Sequence, residues 1–318
     1  MNTQNIFEIQ MQDKPEYDIE DYIHIQNQLD SKNIDEYITN LYETSNPTIY
    51  FYTLPDFKKR CTRGIKQKII DVNNPQLPIQ QLYKIGNGGN GKNCIICCTP
   101  ILNDNENTRL HASQKIKESL ESCGFNGYFY LFNGGFPNPS GIEMKYVGVP
   151  YCFKIFMMME AKKKGFENII WIDSACIALN NPEKLFDTLQ EKHVLFHISY
   201  NNAYDQMVFE KTRELLNNKN QNNLYDALYL NTIVFGLNVS SEPITKIIDE
   251  YYENVKLGLP FLSIFPEEIV LSSIFNNIEY KYLLHNCDEM GNRLQINERV
   301  MNKMDAIGNG YFFYHCSY

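Results

Sequence analysis

No stretch of this sequence holds the roughly 18 consecutive apolar residues that a membrane-crossing helix needs, so no membrane span is expected. The opening segment, Met1 to Gln10, lacks a basic start followed by an apolar run. Without that leader pattern the expected compartment is the cytoplasm. Positive charge is also in short supply: 29 Lys and Arg face 38 Asp and Glu, a formal net charge of −9. General nucleic-acid binding rests on basic surface meeting phosphates, so no nucleic-acid partner is expected and any polyanion must be met locally. A disulfide framework is missing too. The nine Cys are an odd number without regular spacing, and three crowd into Cys94-Ile-Ile-Cys97-Cys98, which suits free buried thiols.

What is present is a globular composition, 43% hydrophobic and 21% charged over 318 residues. That excludes a wholly disordered or collagen-like chain and suits two domains, or one large α/β domain with an extension. Residues 1–85 form the expected N-terminal extension. It mixes acidic Tyr-rich stretches (Glu16 to Tyr22), one apolar run (Thr48 to Tyr52) and a basic cluster from Lys58 to Lys68 that reads as a solvated charge run. Such a segment suits packing on the remaining domain or self-association into a homo-oligomer.

From residue 86 the pattern changes. Gly86-Asn-Gly-Gly-Asn-Gly91 reads as a turn-rich linker. With Lys92 and Asn93 it matches the spacing of a phosphate-binding P-loop up to the last position, where Asn93 replaces Ser or Thr. The context is wrong as well, because this run precedes a strand and does not open a helix. Short β-rich runs then alternate with helical stretches, the pattern of an α/β domain with a mainly parallel sheet. Expected strands are Asn93 to Thr99, Tyr128 to Phe132, Asn168 to Ile172, His193 to Ser199, Tyr229 to Leu237 and Tyr311 to His315. Expected helices are Thr108 to Cys123, one starting near Pro150 and stopping at Gly165, Pro182 to Glu191, Ser241 to Val255 and Pro266 to Phe275. Cys94 and Cys97 are three apart in a strand and so face opposite sides, which denies them a shared metal. His24, His111 and His193 have no ligand spacing.

The strongest chemical signal is Asn168-Ile-Ile-Trp-Ile-Asp173-Ser-Ala-Cys176, followed by Asn181-Pro-Glu-Lys-Leu-Phe186. An apolar strand there ends in a carboxylate, and in open α/β sheets ligands bind at the carboxyl ends of strands. The same pattern also serves as an ordinary turn or cap.

This stretch resembles the donor-site segment of nucleotide-sugar glycosyltransferases of the GT-A fold, where an apolar strand ends in Asp-x-Asp before a Pro-led helix. Ordered neighbours extend the resemblance over about residues 93 to 315. Pro150-Tyr-Cys-Phe-Lys154 resembles the helix start that precedes the motif, and Tyr229-Leu-Asn231-Thr-Ile-Val-Phe-Gly236 the acceptor-side strand. Pro266-Glu267-Glu268 is similar to a later Pro-Asp-Gln helix, and Tyr314-His315 to a terminal metal-binding His. The second motif acid is replaced by Ala175, and Glu267-Glu268 stand for Asp-Gln.

The resemblance implies a GT-A-like domain over 86–318, with a mixed, mainly parallel sheet flanked by helices. It implies transfer of a sugar from a nucleotide-diphosphate donor, UDP-linked by expectation, to a glycan or protein acceptor. Donor-binding candidates are Thr99, Arg109, Lys154, Asp173, Ser174 and Ala175; acceptor-side candidates are Asn231, Gly236 and Glu267. Glu268, with Asp173, is the catalytic candidate. Asp173 and His315 are the expected ligands of Mn²⁺ or Mg²⁺, hard cations suited to carboxylate and phosphate oxygen. The competing expectation is a non-catalytic sugar- or nucleotide-binding protein that has lost the second acid at Ala175. A nucleotidyltransferase is disfavoured because Pro100-Ile-Leu-Asn-Asp, and no glycine-rich loop, follows the first strand.

Overall fold

The computed structural model describes residues 79–99, 106–133, 152–199, 213–217, 227–257, 259–261, 265–285 and 287–316. Residues 1–78 and the helix start expected near Pro150 lie outside them. The sequence first folds as an antiparallel pairing that the extension reading did not foresee. β1 (Ile79–Ile85) sits on the edge of the sheet beside β3 (Gly127–Asn133), with Ile79 opposite Asn133 and Ile85 opposite Gly127. The sheet therefore begins seven residues before the expected boundary. β2 (Asn93–Thr99) runs parallel to both β3 and β4 (Asn168–Ile172). β7 (Tyr229–Asn238) lies antiparallel to β4, and β6 (Val194–Ser199) antiparallel to β7. The spatial order is β1-β3-β2-β4-β7-β6. Strands β2, β3, β4 and β6 consequently point one way while β1 and β7 point back, a mixed and mainly parallel sheet by direction.

Alternation along the strands divides two cores. Cys94, Ile96 and Cys98 of β2 join Ile169 and Trp171 of β4 on one face, under α2 (Phe153–Lys163), α4 (Glu242–Leu257) and α5 (Pro266–Phe275). Ile95, Cys97, Ile170 and Ile172 face the other side, under α1 (Glu106–Ser122) and α3 (Glu183–Lys192). Cys94 and Cys97 do part to opposite faces, and the cysteines among the described residues are free. All five β4 residues are buried, and each Ile contributes at most about 1.5–3 kcal/mol of transfer free energy. That burial anchors the strand whose end carries Asp173.

Helix α2 ends as its sequence foretells. Gly165 takes φ 97°, its N–H donates to the Lys162 carbonyl, and the Phe166 N–H donates to Ala161 at 3.2 Å, closing a glycine C-cap after a basic last turn. β6 starts one residue later than expected because His193 caps α3 in the left-handed region, φ 70°. The Gly86–Gly91 run is the turn between β1 and β2. Its amides are spent locally: Gly88 on Ile85, Gly91 on Gly88, Gly89 on the Asn87 side chain and Asn87 on the Asn126 side chain. A phosphate cradle needs those N–H groups free, so the P-loop reading does not hold, and the run is a turn between two strands of one sheet.

A second, three-stranded sheet packs beside the first, in the order β5-β9-β8. It joins β5 (Cys176–Ala178), β8 (Gln295–Asn297) and β9 (Phe313–His315), antiparallel between β5 and β9 and parallel between β8 and β9. Only its last strand was expected from sequence. Three-residue strands leave too short a pattern to read.

Gly236 lies inside the main sheet, opposite Ile170 and Leu195. A Cβ there would come within 2.8 Å of Leu189 Cδ1 on α3. Its glycine serves helix-on-sheet packing. Gly236→Ala is expected to cost about 1–3 kcal/mol by overpacking, read as a lower unfolding midpoint with ligand binding intact.

Candidate functional site

Four elements converge at the carboxyl end of β4. Trp171 and Asp173 are two apart, so they leave the strand on the same face, the one covered by α2 and α5. The Asp173 N–H donates to the Ile233 carbonyl of β7 at 2.9 Å, and its carbonyl accepts the Cys176 N–H at 2.9 Å, closing a tight turn over Ser174 and Ala175. The Ala175 carbonyl in turn accepts the Cys316 N–H at 2.9 Å, so the C-terminal segment pins that turn. Asp173 thus emerges in a fixed place.

Its side chain is fixed as well. Oδ1 accepts the Trp171 indole N–H at 2.7 Å and lies 3.1 Å from the Lys154 Nζ, which also sits 5.3 Å from the centre of the Trp171 ring. Asp173 keeps a third of its side-chain surface exposed, whereas Lys154 is only 3% exposed. Lys154 spans to α5, meeting Glu267 Oε1 at 2.7 Å, and donates to the Thr232 carbonyl of β7 at 3.0 Å. Burial opposes its charge, yet Asp173, Glu267 and Glu268 more than offset it and hold its pKa above the ordinary lysine value.

The geometry changes the expected roles. An ammonium has three N–H donors, and the carboxylates of Asp173 and Glu267 with the Thr232 carbonyl take all three. Lys154 is therefore an internal clamp and has no proton left for a donor phosphate. Glu268 is similarly committed: its Oε1 accepts the Thr232 N–H at 3.0 Å and its Oε2 accepts the Tyr229 hydroxyl. A carboxylate so engaged is poorly placed to act as a base. Glu267 accepts the Thr232 hydroxyl at 2.9 Å and the Lys154 ammonium on Oε1. Oδ2 of Asp173 and Oε2 of Glu267 carry no partner among the described residues.

Other candidates lie nearby but apart. Thr99 is buried at the carboxyl end of β2, and Ser174 and Ala175 are half-buried in the turn. Arg109 falls in the first turn of α1, with its side chain outside the described residues. Asn231 points to the opposite face, where its Oδ1 accepts the Ile233 N–H at 3.0 Å and the Gln295 side-chain amide at 2.6 Å. His315 pairs with Cys176 across β5 and β9, and its Nδ1 meets the Asn297 amide at 2.9 Å.

Among the described residues no group of three His, Cys, Asp or Glu could hold a metal ion. Lys154 and Trp171 take Oδ1 of Asp173 and leave Oδ2, and Asn297 meets His315 at Nδ1, so the described residues do not build a metal centre by themselves and an ion there would draw further oxygens from its substrate. Trp171, Thr232 and Tyr229 escaped the sequence reading. Strand alternation from Asp173 would have found Trp171; Tyr229 and Thr232 lie in the Tyr229 to Gly236 stretch that the resemblance singles out, but nothing there marks them as partners of Glu267 and Glu268.

No protein-family profile matches the chain, and no curated protein matches it in sequence. Among solved structures it is similar to mouse xyloside xylosyltransferase 1, with 10% identity, 70% of this chain and 96% of that one covered, and a TM-score of 0.40. A glycosyltransferase involved in glycosylation of the major capsid of PBCV-1 gives 14%, 70%, 93% and 0.38. The S. cerevisiae mannosyltransferase Ktr4p gives 11%, 78%, 82% and 0.38. At such low scores the functional reading is left to the chain's own residues and geometry.

Proposed function

We propose that the Asp173 cluster is the donor site of a glycosyltransferase that moves a sugar from a nucleotide-diphosphate donor to a glycan or protein acceptor. The observation that carries this reading is the immobilised, partly exposed Asp173 carboxylate at the strand end, where an α/β sheet binds its ligand. The ordered motifs that resemble GT-A transferases support it. In the transfer, the bond from the anomeric carbon to the diphosphate oxygen breaks and a bond to the acceptor oxygen forms. The acceptor proton passes to a base and the nucleoside diphosphate leaves. Oxocarbenium character on the sugar is stabilised by nearby carboxylates, for which Asp173 and Glu267 offer Oδ2 and Oε2.

The cluster sets three carboxylates against one ammonium, so it does not itself neutralise a diphosphate. That charge is met from outside the cluster, by Arg109 or by a Mn²⁺ or Mg²⁺ ion arriving with the phosphates. The test is release of nucleoside diphosphate from a panel of nucleotide sugars, UDP-linked ones first, run with Mn²⁺ and with chelator. Release that survives chelation assigns the charge to the protein; release abolished by chelation assigns it to the ion. The second reading, a non-catalytic binding protein, is favoured by Ala175 in place of the second acid. Binding without any release of diphosphate, unchanged in Ala175→Asp, is its signature.

A further inference from the structure

β4 stops short of β7. Their pairing ends at Ile172 opposite Val234, with one more bond from Asp173 to Ile233, so β7 and the residue before it, 228–232, extend past the end of β4. The backbone N–H groups that turn toward that gap have no strand to meet. Instead, α5 meets them with side chains. Thr232 N–H donates to Glu268 Oε1 at 3.0 Å, Leu230 N–H to Ser272 Oγ at 2.9 Å, and Leu228 N–H to Asn276 Oδ1 at 2.8 Å. Asn276 also donates to the Leu228 carbonyl at 2.8 Å and to the Ser272 carbonyl at 2.7 Å, while Lys154 serves the Thr232 carbonyl. All three acceptor side chains are buried.

The match is geometric. Four residues of α-helix rise about 6.0 Å, and two residues of strand rise about 6.6 Å. Glu268, Ser272 and Asn276 are each four apart, and Thr232, Leu230 and Leu228 each two apart, so the rungs stay level along the pair.

We propose that this ladder fixes the axial register of α5 on β7, and that the register places Glu267 against Lys154 and thereby Lys154 against Asp173. Glu267 is the residue beside the first rung, and Thr232 joins both systems through its N–H, its hydroxyl and its carbonyl. A slip of α5 by one residue would carry Glu267 off Lys154. Ser272 and Asn276 touch none of the three cluster side chains, and they act on the site through the register; they are positioning residues. The proposal rests on the donor-site reading only for what the cluster does once it is placed.

The test uses the full chain and its single tryptophan, Trp171, whose indole N–H is bound to Asp173. Amide hydrogen exchange and Trp171 emission are compared in wild type, Ser272→Ala and Asn276→Ala. In wild type the amides of Leu228, Leu230 and Thr232 are expected to exchange slowly although no strand lies on the side that they face. In each variant, exchange at Thr232 is expected to quicken at least tenfold along with the rung removed, and Trp171 emission to shift while far-ultraviolet circular dichroism stays native. Quickening confined to Leu230 in Ser272→Ala, or to Leu228 in Asn276→Ala, with unmoved Trp171 emission, would overturn the proposal and leave local caps. Ser272→Ala removes one oxygen and keeps the answer within reach where Asn276→Ala does not fold. A wild-type Trp171 signal blind to every nucleotide sugar, beside coupled exchange, would remove the donor-site reading and keep the ladder.

Discussion

Lys154→Met is expected to lower the thermal unfolding midpoint by roughly 6 to 20 °C. Methionine fills the volume of the lysine stem but leaves Asp173 and Glu267 facing each other without the ammonium that each now touches, at 3.1 and 2.7 Å. Removing one partner of a buried ion pair costs about 3–5 kcal/mol, because the remaining charge is stranded, and each kcal/mol moves the midpoint of a domain this size by about 2–4 °C. Glu267→Gln in the Lys154→Met background is expected to recover part of the loss by removing one stranded charge. The pH dependence has a definite sign. A lysine whose folded pKa is raised contributes stability in full below its unfolded value of about 10.4 and loses it as pH rises through the folded value. The deficit of Lys154→Met relative to wild type should therefore be constant from about pH 7 to 9 and shrink only above about pH 10.4. Unfolding curves across that range check it.

Asp173→Asn should leave the fold and remove the activity. The amide oxygen of asparagine accepts from Trp171 and Lys154 as Oδ1 does, and Lys154 keeps Glu267 as an ionic partner, so the unfolding midpoint is expected to fall by less than in Lys154→Met. What is lost is a negative charge at the strand end. Preorganised electrostatic groups of this kind are worth about 10²–10³ in rate, so nucleoside diphosphate release should fall by at least that factor. Full activity in a folded Asp173→Asn protein would refute the role given to Asp173.

How far the sequence carried is best judged residue by residue. β4 was legible because four consecutive apolar residues, Ile169 to Ile172, end in a lone carboxylate, which marks the end of a buried strand while leaving open whether the carboxylate serves a ligand or only a turn. α5 was legible from Pro266 onward for the corresponding reason, a proline at the first helical turn before an apolar run. β1 was not, since Gln80, Gln81 and Lys84 on an edge strand dilute the alternation that a half-buried strand shows. The short strands β5 and β8 take their pairing from β9, more than a hundred residues from β5, and local pattern cannot report that. Within the site, residue types were legible and their commitments were not. Lys154 read as a phosphate ligand because a lone lysine in a helix start carries no sign that three acceptors wait for it. Glu268 read as a base because the Thr232 amide that it caps is invisible in a one-dimensional spacing. Glu268, Ser272 and Asn276 are polar residues on an apolar helix, a conflict in the pattern that signals buried hydrogen bonds without naming their partners.

A nucleotide sugar bound at Asp173 would lie beside Trp171, whose indole N–H that carboxylate holds, so Trp171 emission reports on binding directly. Titrating the wild-type protein with UDP-, GDP-, CMP- and dTDP-linked sugars while following Trp171 emission is expected to give a saturable change for one nucleotide class, abolished in Asp173→Asn. Emission indifferent to every donor, or a change that Asp173→Asn leaves intact, would contradict the account.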